Sequence, residues 1–238
     1  MLPEVFFEDL GYQSYRSVWD YQELLLKQNT QLKIEGNPEA TRHHLLLVEH
    51  PPVYTLGKSG KIDHLLWTEE ERKLLNIEFF HINRGGDITF HGPGQIVGYP
   101  ILDLEKMQTD LGWYLRSLEE VIILTLADYG ILAGRSEGET GVWLDPEIKG
   151  KERKICALGI KCSRWITMHG FAFNVNTDIR YFDGIVPCGI NNKQVTSLQK
   201  ELASHISLAE VKERIKKHFE EVFQVNLKSE VHVNSICS

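Results

Sequence analysis

Segments of helical and of strand periodicity do not alternate along this chain, and that irregular order most limits its fold. Residues 15–33 set Trp19, Tyr21, Leu24, Leu25 and Leu32 among polar residues, as an amphipathic helix does. Residues 110–129 place Leu111, Leu115, Leu118, Val121 and Ile122 at helical spacing. Ser207 and Glu210, three apart, read as a capping box opening a third helix to about Phe223. Strand signals fill the rest. Leu45-Leu46-Leu47-Val48 is a buried run stopped by Pro51-Pro52, and 77–82 follows a short helix capped by Thr68 and Glu71. Further strands are expected at 88–90 and 96–102, as short strands through 141–198, and near 225–233. Without βαβ alternation, the order predicts an α+β fold with a mixed β-sheet and flanking helices rather than a doubly wound one. No repeat, low-complexity tract or linker divides the chain, so 1–238 is expected to be a single domain.

The segment 84–95 holds four glycines, a proline, an arginine and a histidine between two apolar runs. Glycine at that density suits a backbone that must approach a ligand closely, and one tight turn does not require it. Phosphate chemistry is not indicated. Gly57-Lys58-Ser59 resembles the end of a P-loop, but Pro52 stands where that motif needs its first glycine. Gly92, Gly94 and Gly98 miss the dinucleotide spacing by one residue. No histidine spacing suggests a metal site.

A formal net charge of −7 argues against general nucleic-acid binding, although Lys149, Lys151, Arg153, Lys154, Lys161 and Arg164 concentrate positive charge locally. No apolar run approaches membrane-spanning length, and the first residues lack a signal-peptide pattern, so a cytoplasmic protein is expected. Cys156, Cys162, Cys188 and Cys237 form no metal-binding pattern.

Cys188 differs from the others by its neighbours, Pro187 and Gly189. A proline before and a glycine after a thiol make a sharp turn that exposes it, although an ordinary turn has the same composition. A reactive thiol needs a group that stabilises thiolate. Lys154, at the start of a strand, His91 in the glycine-rich segment, and His169 are the candidates. Side-chain size adds a clue. Ala157 and Gly159 share one face of a strand spanning 154–161, and Gly170 and Ala172 share one face of another spanning 169–176. If those faces adjoin, they leave a smooth groove for a linear apolar chain.

With these residues in view, the chain resembles the lipoyl(octanoyl) transferase family over nearly its whole length. The resemblance is carried by His50-Pro51-Pro52-Val53-Tyr54-Thr55-Leu56-Gly57, by 84–95 with Tyr99-Pro100, by Thr140-Gly141-Val142-Trp143, by 154–159 and 169–176, and by Pro187-Cys188-Gly189. It implies a biotin/lipoate protein ligase-like fold and no cofactor or metal. It implies an octanoyltransferase that takes octanoyl from acyl carrier protein. The acceptors are lysines on lipoyl domains of 2-oxoacid dehydrogenases and on the glycine cleavage H protein. Cys188 matches the family's acyl-thioester nucleophile and Lys154 its catalytic lysine. Arg84, Gly85, Gly86, Asp87, Ile88, Thr89, Phe90 and His91 match substrate-lining positions, as do Ala157, Leu158, Gly159, Gly170, Phe171 and Ala172. The stretch 145–153 is long for the loop before the lysine, which leaves Lys151 as a competitor of Lys154. Three other readings remain: an ATP-dependent lipoate or biotin protein ligase, a Cys-His hydrolase using His91 or His169, and a non-catalytic carrier-binding module.

Overall fold

The computed structural model of the chain describes residues 2–186 and 194–229. Strand β1 (Glu4–Tyr12) buries Val5 and Phe7 and leads into α1 (Tyr15–Ile34), whose first turn is capped by the Ser14 hydroxyl on the Ser17 N–H. The buried stripe of α1 is Tyr15, Val18, Gln22, Leu25, Leu26 and Asn29. Leu24, expected to face inward, is 49% exposed. The true stripe spends two core-facing positions on amides that bond to the sheet and its approach, so polarity hides its phase: Gln22 takes the His169 N–H, and Asn29 brackets Arg42.

Strand β2 (His43–Glu49) is apolar on both faces because both are covered. After Pro51-Pro52, β3 (Val53–Leu56) leaves the main sheet. Helix α2 (Glu69–Leu74) carries the complete Thr68–Glu71 capping box. It is followed by β4 (Glu78–His81), β5 (Ile88–His91) and β6 (Gln95–Ile101). Helix α3 (Leu111–Ala127), capped by Asp110, leads to β7 (Gly134–Ser136) and β8 (Glu139–Leu144). Strands β9 (Arg153–Ser163) and β10 (Ile166–Asn174) form a hairpin. Its two loop residues, Arg164 and Trp165, both have positive φ, as a two-residue hairpin loop demands. The described chain resumes with β11 (Gln194–Val195), α4 (Leu198–Leu202), α5 (Leu208–Phe223) and β12 (Asn226–Ser229). Ser207 caps α5 as expected.

The larger sheet runs β12-β1-β2-β6-β10-β9-β8-β7, with β11 paired parallel to β9. Strand β1 is parallel to both its neighbours and the remaining pairs along this path are antiparallel, so the sheet is mixed. A second sheet, β4-β3-β5, holds three strands. Segments 88–90 and 96–102 are strands as expected, in different sheets. One expectation needs correction: the strands after Gly141 are not all short, since β9 has 11 residues and β10 has 9. Helices α3 and α5 cover one face over Leu45, Leu47, Ile96 and Phe173. Helix α1 covers the other over Leu46, Val97, Met168 and Ala172. No helix among the described residues is long and apolar enough to cross a membrane.

Candidate active site

The hairpin register brings the small residues together. Ala157 pairs with Ala172 and Gly159 with Gly170 across β9 and β10, so four positions without bulk form one patch of the sheet. The glycine-rich segment lies over it. The Gly85 N–H donates to the Ile160 carbonyl at 2.8 Å, and a Cβ on Gly159 would stand 2.9 Å from the Gly85 oxygen and 3.1 Å from Arg84 Cδ. Only glycine at 159 permits that approach. Between segment and sheet is a cavity of about 450 Å³.

Arg84, Gly85, Gly86, Asp87, Ile88, Thr89 and His91 line this cavity. So do Ala157, Leu158, Gly159, Gly170, Phe171 and Ala172. Phe90 does not line it. Its ring stacks on Tyr181 at 4.7 Å, in a separate cluster with Tyr54 and Ile185. Alternation along β5 puts Thr89 and His91 on the cavity side and Ile88 and Phe90 in that cluster, and of the latter two only Ile88, at the start of the strand, also reaches the cavity. Lys154 lines the cavity beside Val195, its partner in β11. Its Nζ lies 4.6 Å from the centre of the Trp143 ring, its cross-strand neighbour. Lys151 is exposed and outside the cavity, and Arg153 is tied to Asp145 and Glu201. The long loop therefore delivers Lys154, not Lys151. Lys161 is paired with Glu23, which takes another cation out of the expected basic patch.

Cys188, with Pro187 and Gly189, lies outside the described residues. Its described flanks are fixed: the Val186 N–H donates to the His64 carbonyl at 2.8 Å, and Val195 lines the cavity. Cys156 is in the core and Cys162 half-buried, and burial pushes both thiols up, so neither is disposed to ionise.

A polar chain runs along the cavity wall. The Arg84 guanidinium donates to the Thr55 carbonyl at 2.8 Å and to its hydroxyl at 3.0 Å. That hydroxyl stands 3.5 Å from His91 Nε2, and His91 Nδ1 lies 2.8 Å from Gln95 Oε1. The Gln95 amide nitrogen donates to Phe90 O and Asn174 Oδ1, which fixes its oxygen toward His91 and makes His91 Nδ1 the protonated nitrogen. Asn174 in turn donates to the Thr196 carbonyl, and the Thr196 N–H donates to Lys154 O at 3.0 Å. The glycine-rich segment and the lysine strand are thus joined through one buried chain.

Burial lowers the pKa of His91 to about 3, with His50 adding to the effect, and that of His169 to about 3, with Arg84 adding. His50 donates from Nδ1 to Gln13 O and accepts the Tyr99 hydroxyl on Nε2; burial takes its pKa to about 4. These imidazoles are neutral near pH 7, which suits an uncharged acyl chain and weakens any reading of His91 or His169 as the cation beside a thiolate. Tyr15, whose ring stacks on His91 with centroids 5.8 Å apart, lines the cavity too, as do Gln95, Tyr99 and Asn174. Sequence reasoning assigned none of these four to the site. Gln95, Tyr99 and Asn174 lie in the segments that carry the family resemblance, whereas nothing in sequence links Tyr15 to residues seventy positions away. No group of three metal-ligating side chains is present among the described residues.

The model of the lipoyl protein ligase A/B catalytic domain matches residues 14–220. An octanoyltransferase of Christiangramia forsetii is 57% identical over 233 residues, covering 96% of this chain and 99% of its own. One from Flavobacterium johnsoniae is 53% identical, covering 95% and 100%. Among solved structures, lipoate-protein ligase A bound with ATP superposes with a TM-score of 0.70 at 15% identity, covering 97% of this chain and 89% of that one. An archaeal lipoylation system from Thermoplasma acidophilum, comprising a bipartite lipoate protein ligase and its E2 lipoyl domain, gives 0.66 at 14%, covering 97% and 87%. At those identities the structures speak for the fold, which is that of the lipoate ligases.

Proposed function

The chain belongs to the family of lipoyl protein ligase A/B catalytic domains, and from that membership we propose that it is an octanoyltransferase of lipoate biosynthesis working through an acyl-enzyme. The donor is octanoyl-acyl carrier protein. The acceptors are lysines of lipoyl domains, those of 2-oxoacid dehydrogenases and the glycine cleavage H protein, and the setting is cytoplasmic. The observation that carries this reading is the register of Ala157 and Gly159 against Ala172 and Gly170, which leaves a floor of small, uncharged residues in the cavity that Lys154 also lines.

In the first half-reaction the Cys188 thiolate attacks the donor's thioester carbonyl, the bond to the carrier's sulfur breaks, and the carrier leaves as a thiol after taking a proton. The Lys154 ammonium favours the thiolate beforehand and supplies that proton. In the second, the acceptor ε-amine attacks the Cys188 thioester. An amide forms, the Cys188 sulfur departs, and the proton lost by the amine returns to the cysteine–lysine pair. Backbone N–H groups of the glycine-rich segment are suited to hold the oxyanion. Thioester exchange is nearly isoenergetic and amide formation from a thioester runs downhill, so no nucleotide is required.

Intact mass after mixing with octanoyl-acyl carrier protein, without ATP, is the test. An added octanoyl group is expected on the wild type and none on Cys188→Ser. Lys154→Arg is expected to fail as well, since arginine keeps the charge but cannot release a proton near neutral pH. Acylation that requires ATP would instead make the protein a ligase, and an active Lys154→Arg would reduce the lysine to a fixed charge.

A further inference from the structure

A buried carboxylate behind the site holds the backbone that abuts the stem of Lys154. Glu119, on α3, is fully buried, and such a charge is costly unless its oxygens are fully used. Its Oε2 accepts from Arg116 at 2.6 Å and from Arg135 at 3.0 Å. Its Oε1 turns the other way and accepts the Gly141 backbone N–H at 2.9 Å. Gly141 is in β8 at φ +130°, a conformation side chains rarely take. A Cβ there would lie 2.8 Å from the Cys156 carbonyl and 3.3 Å from Lys154 Cε. Two residues on, Trp143 pairs with Lys154 and offers its ring to the ammonium. The β8–β9 register shifts between Val142 and Trp143, so the ladder alone does not fix where this part of β8 lies against Lys154.

We propose that Glu119 is a positioning residue for octanoyl transfer: by holding the Gly141 N–H it sets the backbone wall against which the Lys154 side chain is placed. Arg116 is on α3 itself, so an ion cluster that only fastened the β7–β8 hairpin to α3 would need no more than Oε2 and Arg135. The bond from Oε1 goes instead to the residue abutting the lysine stem. The inference rests on the assignment of Lys154 made above.

Glutamine at 119 has one acceptor oxygen where the site uses two, so Glu119→Gln either frees Gly141 or abandons the arginines. Gly141→Ala leaves the ion cluster whole and crowds Lys154 directly. Arg116→Ala weakens the cluster while leaving the Oε1 bond. Steady-state octanoyl transfer and melting temperature are measured for all three. The expected result is a fall in kcat of about tenfold or more for Glu119→Gln and Gly141→Ala with KM for the octanoyl carrier within about twofold, the size that small misplacements of reacting groups produce. Arg116→Ala should lose melting temperature but keep kcat. If Glu119→Gln melts lower yet keeps its kcat, or if Arg116→Ala loses kcat in proportion to stability, the cluster is a fastening and the proposal falls. Should Glu119→Gln not fold, Glu119→Asp, which keeps the charge but draws it back from the Gly141 N–H, decides by the same split. Lys154→Ala separates the two levels: if it retains full activity, the assignment of the lysine fails first. If it is inactive while Glu119→Gln and Gly141→Ala are fully active, only the positioning role fails.

Discussion

Adding one methyl group at Gly159 tests how closely the slot is built. The new Cβ would meet the Gly85 carbonyl oxygen at 2.9 Å, and that oxygen belongs to backbone tied to the same strand through the Gly85 N–H and Ile160 O. Strand and segment cannot separate without breaking that bond, so overpacking of about 1–3 kcal/mol is expected for Gly159→Ala. A lower melting temperature should accompany octanoyl-enzyme formation slowed about tenfold, followed by intact mass over time. A variant that is acylated at the wild-type rate would show that the acyl chain does not run over this pair of strands. At the same scale, Phe90 shows the limit of reading a motif as one unit. Its neighbours face the cavity, but the strand period turns its ring to Tyr181 instead.

Elements were legible where their ends carry local chemistry. The Thr68–Glu71 box, the Ser207 cap and the proline stop after β2 act through backbone groups within a few residues, and each stands where the sequence puts it. Partnership between elements was not legible, because nothing local tells β5 from β6 as members of different sheets. Strand β1 carried no expectation, since its buried positions include Glu8, which bonds the Tyr21 hydroxyl at 2.9 Å and so reads as surface. The small-residue faces of β9 and β10 could be named from the two-residue period, but their register came only from the hairpin loop. The buried chain from Arg84 to Thr196 is likewise invisible in sequence, as it joins four strands. Asn174 is the joint between its halves, accepting from Gln95 at 2.8 Å and donating to Thr196 at 3.1 Å. Asn174→Leu has similar volume but orphans both partners, at about 1–3 kcal/mol for each buried group left unpaired. Urea denaturation should show that loss, with octanoyl transfer reduced because Gln95 no longer holds His91. Stability within about 0.5 kcal/mol of wild type would mean that water takes both bonds.

For the whole molecule, the consequence of these neutral histidines is a dependence of stability on acid. His43, His50, His91 and His169 are all buried, with pKa values lowered by burial to about 4, 4, 3 and 3. At His43 the Asp103 carboxylate opposes the shift while Lys106, His44 and Lys33 add to it. Unfolded, each imidazole takes up a proton near pH 6.5. Their contribution to stability is therefore complete above that pH and is lost as pH falls from 6.5 toward 4–3, because the unfolded chain binds protons that the folded one refuses. Each histidine then removes up to about 1.4 kcal/mol per pH unit, and four together at pH 5.5 take away an appreciable part of an ordinary domain's roughly 5–15 kcal/mol. Unfolding free energy should accordingly fall between pH 6.5 and 5 with a slope approaching four protons. His43 gives a clean check, since its Nδ1 accepts the Asp103 N–H at 3.0 Å and an asparagine oxygen can replace it. His43→Asn should lower that slope by about one proton while the fold persists at pH 7.5. A slope unchanged in the variant would mean that His43 binds its proton alike in the folded and unfolded chain; a wild-type stability flat across the range would mean the same of all four, and His91 and His169 would then bring charge into the cavity as pH falls.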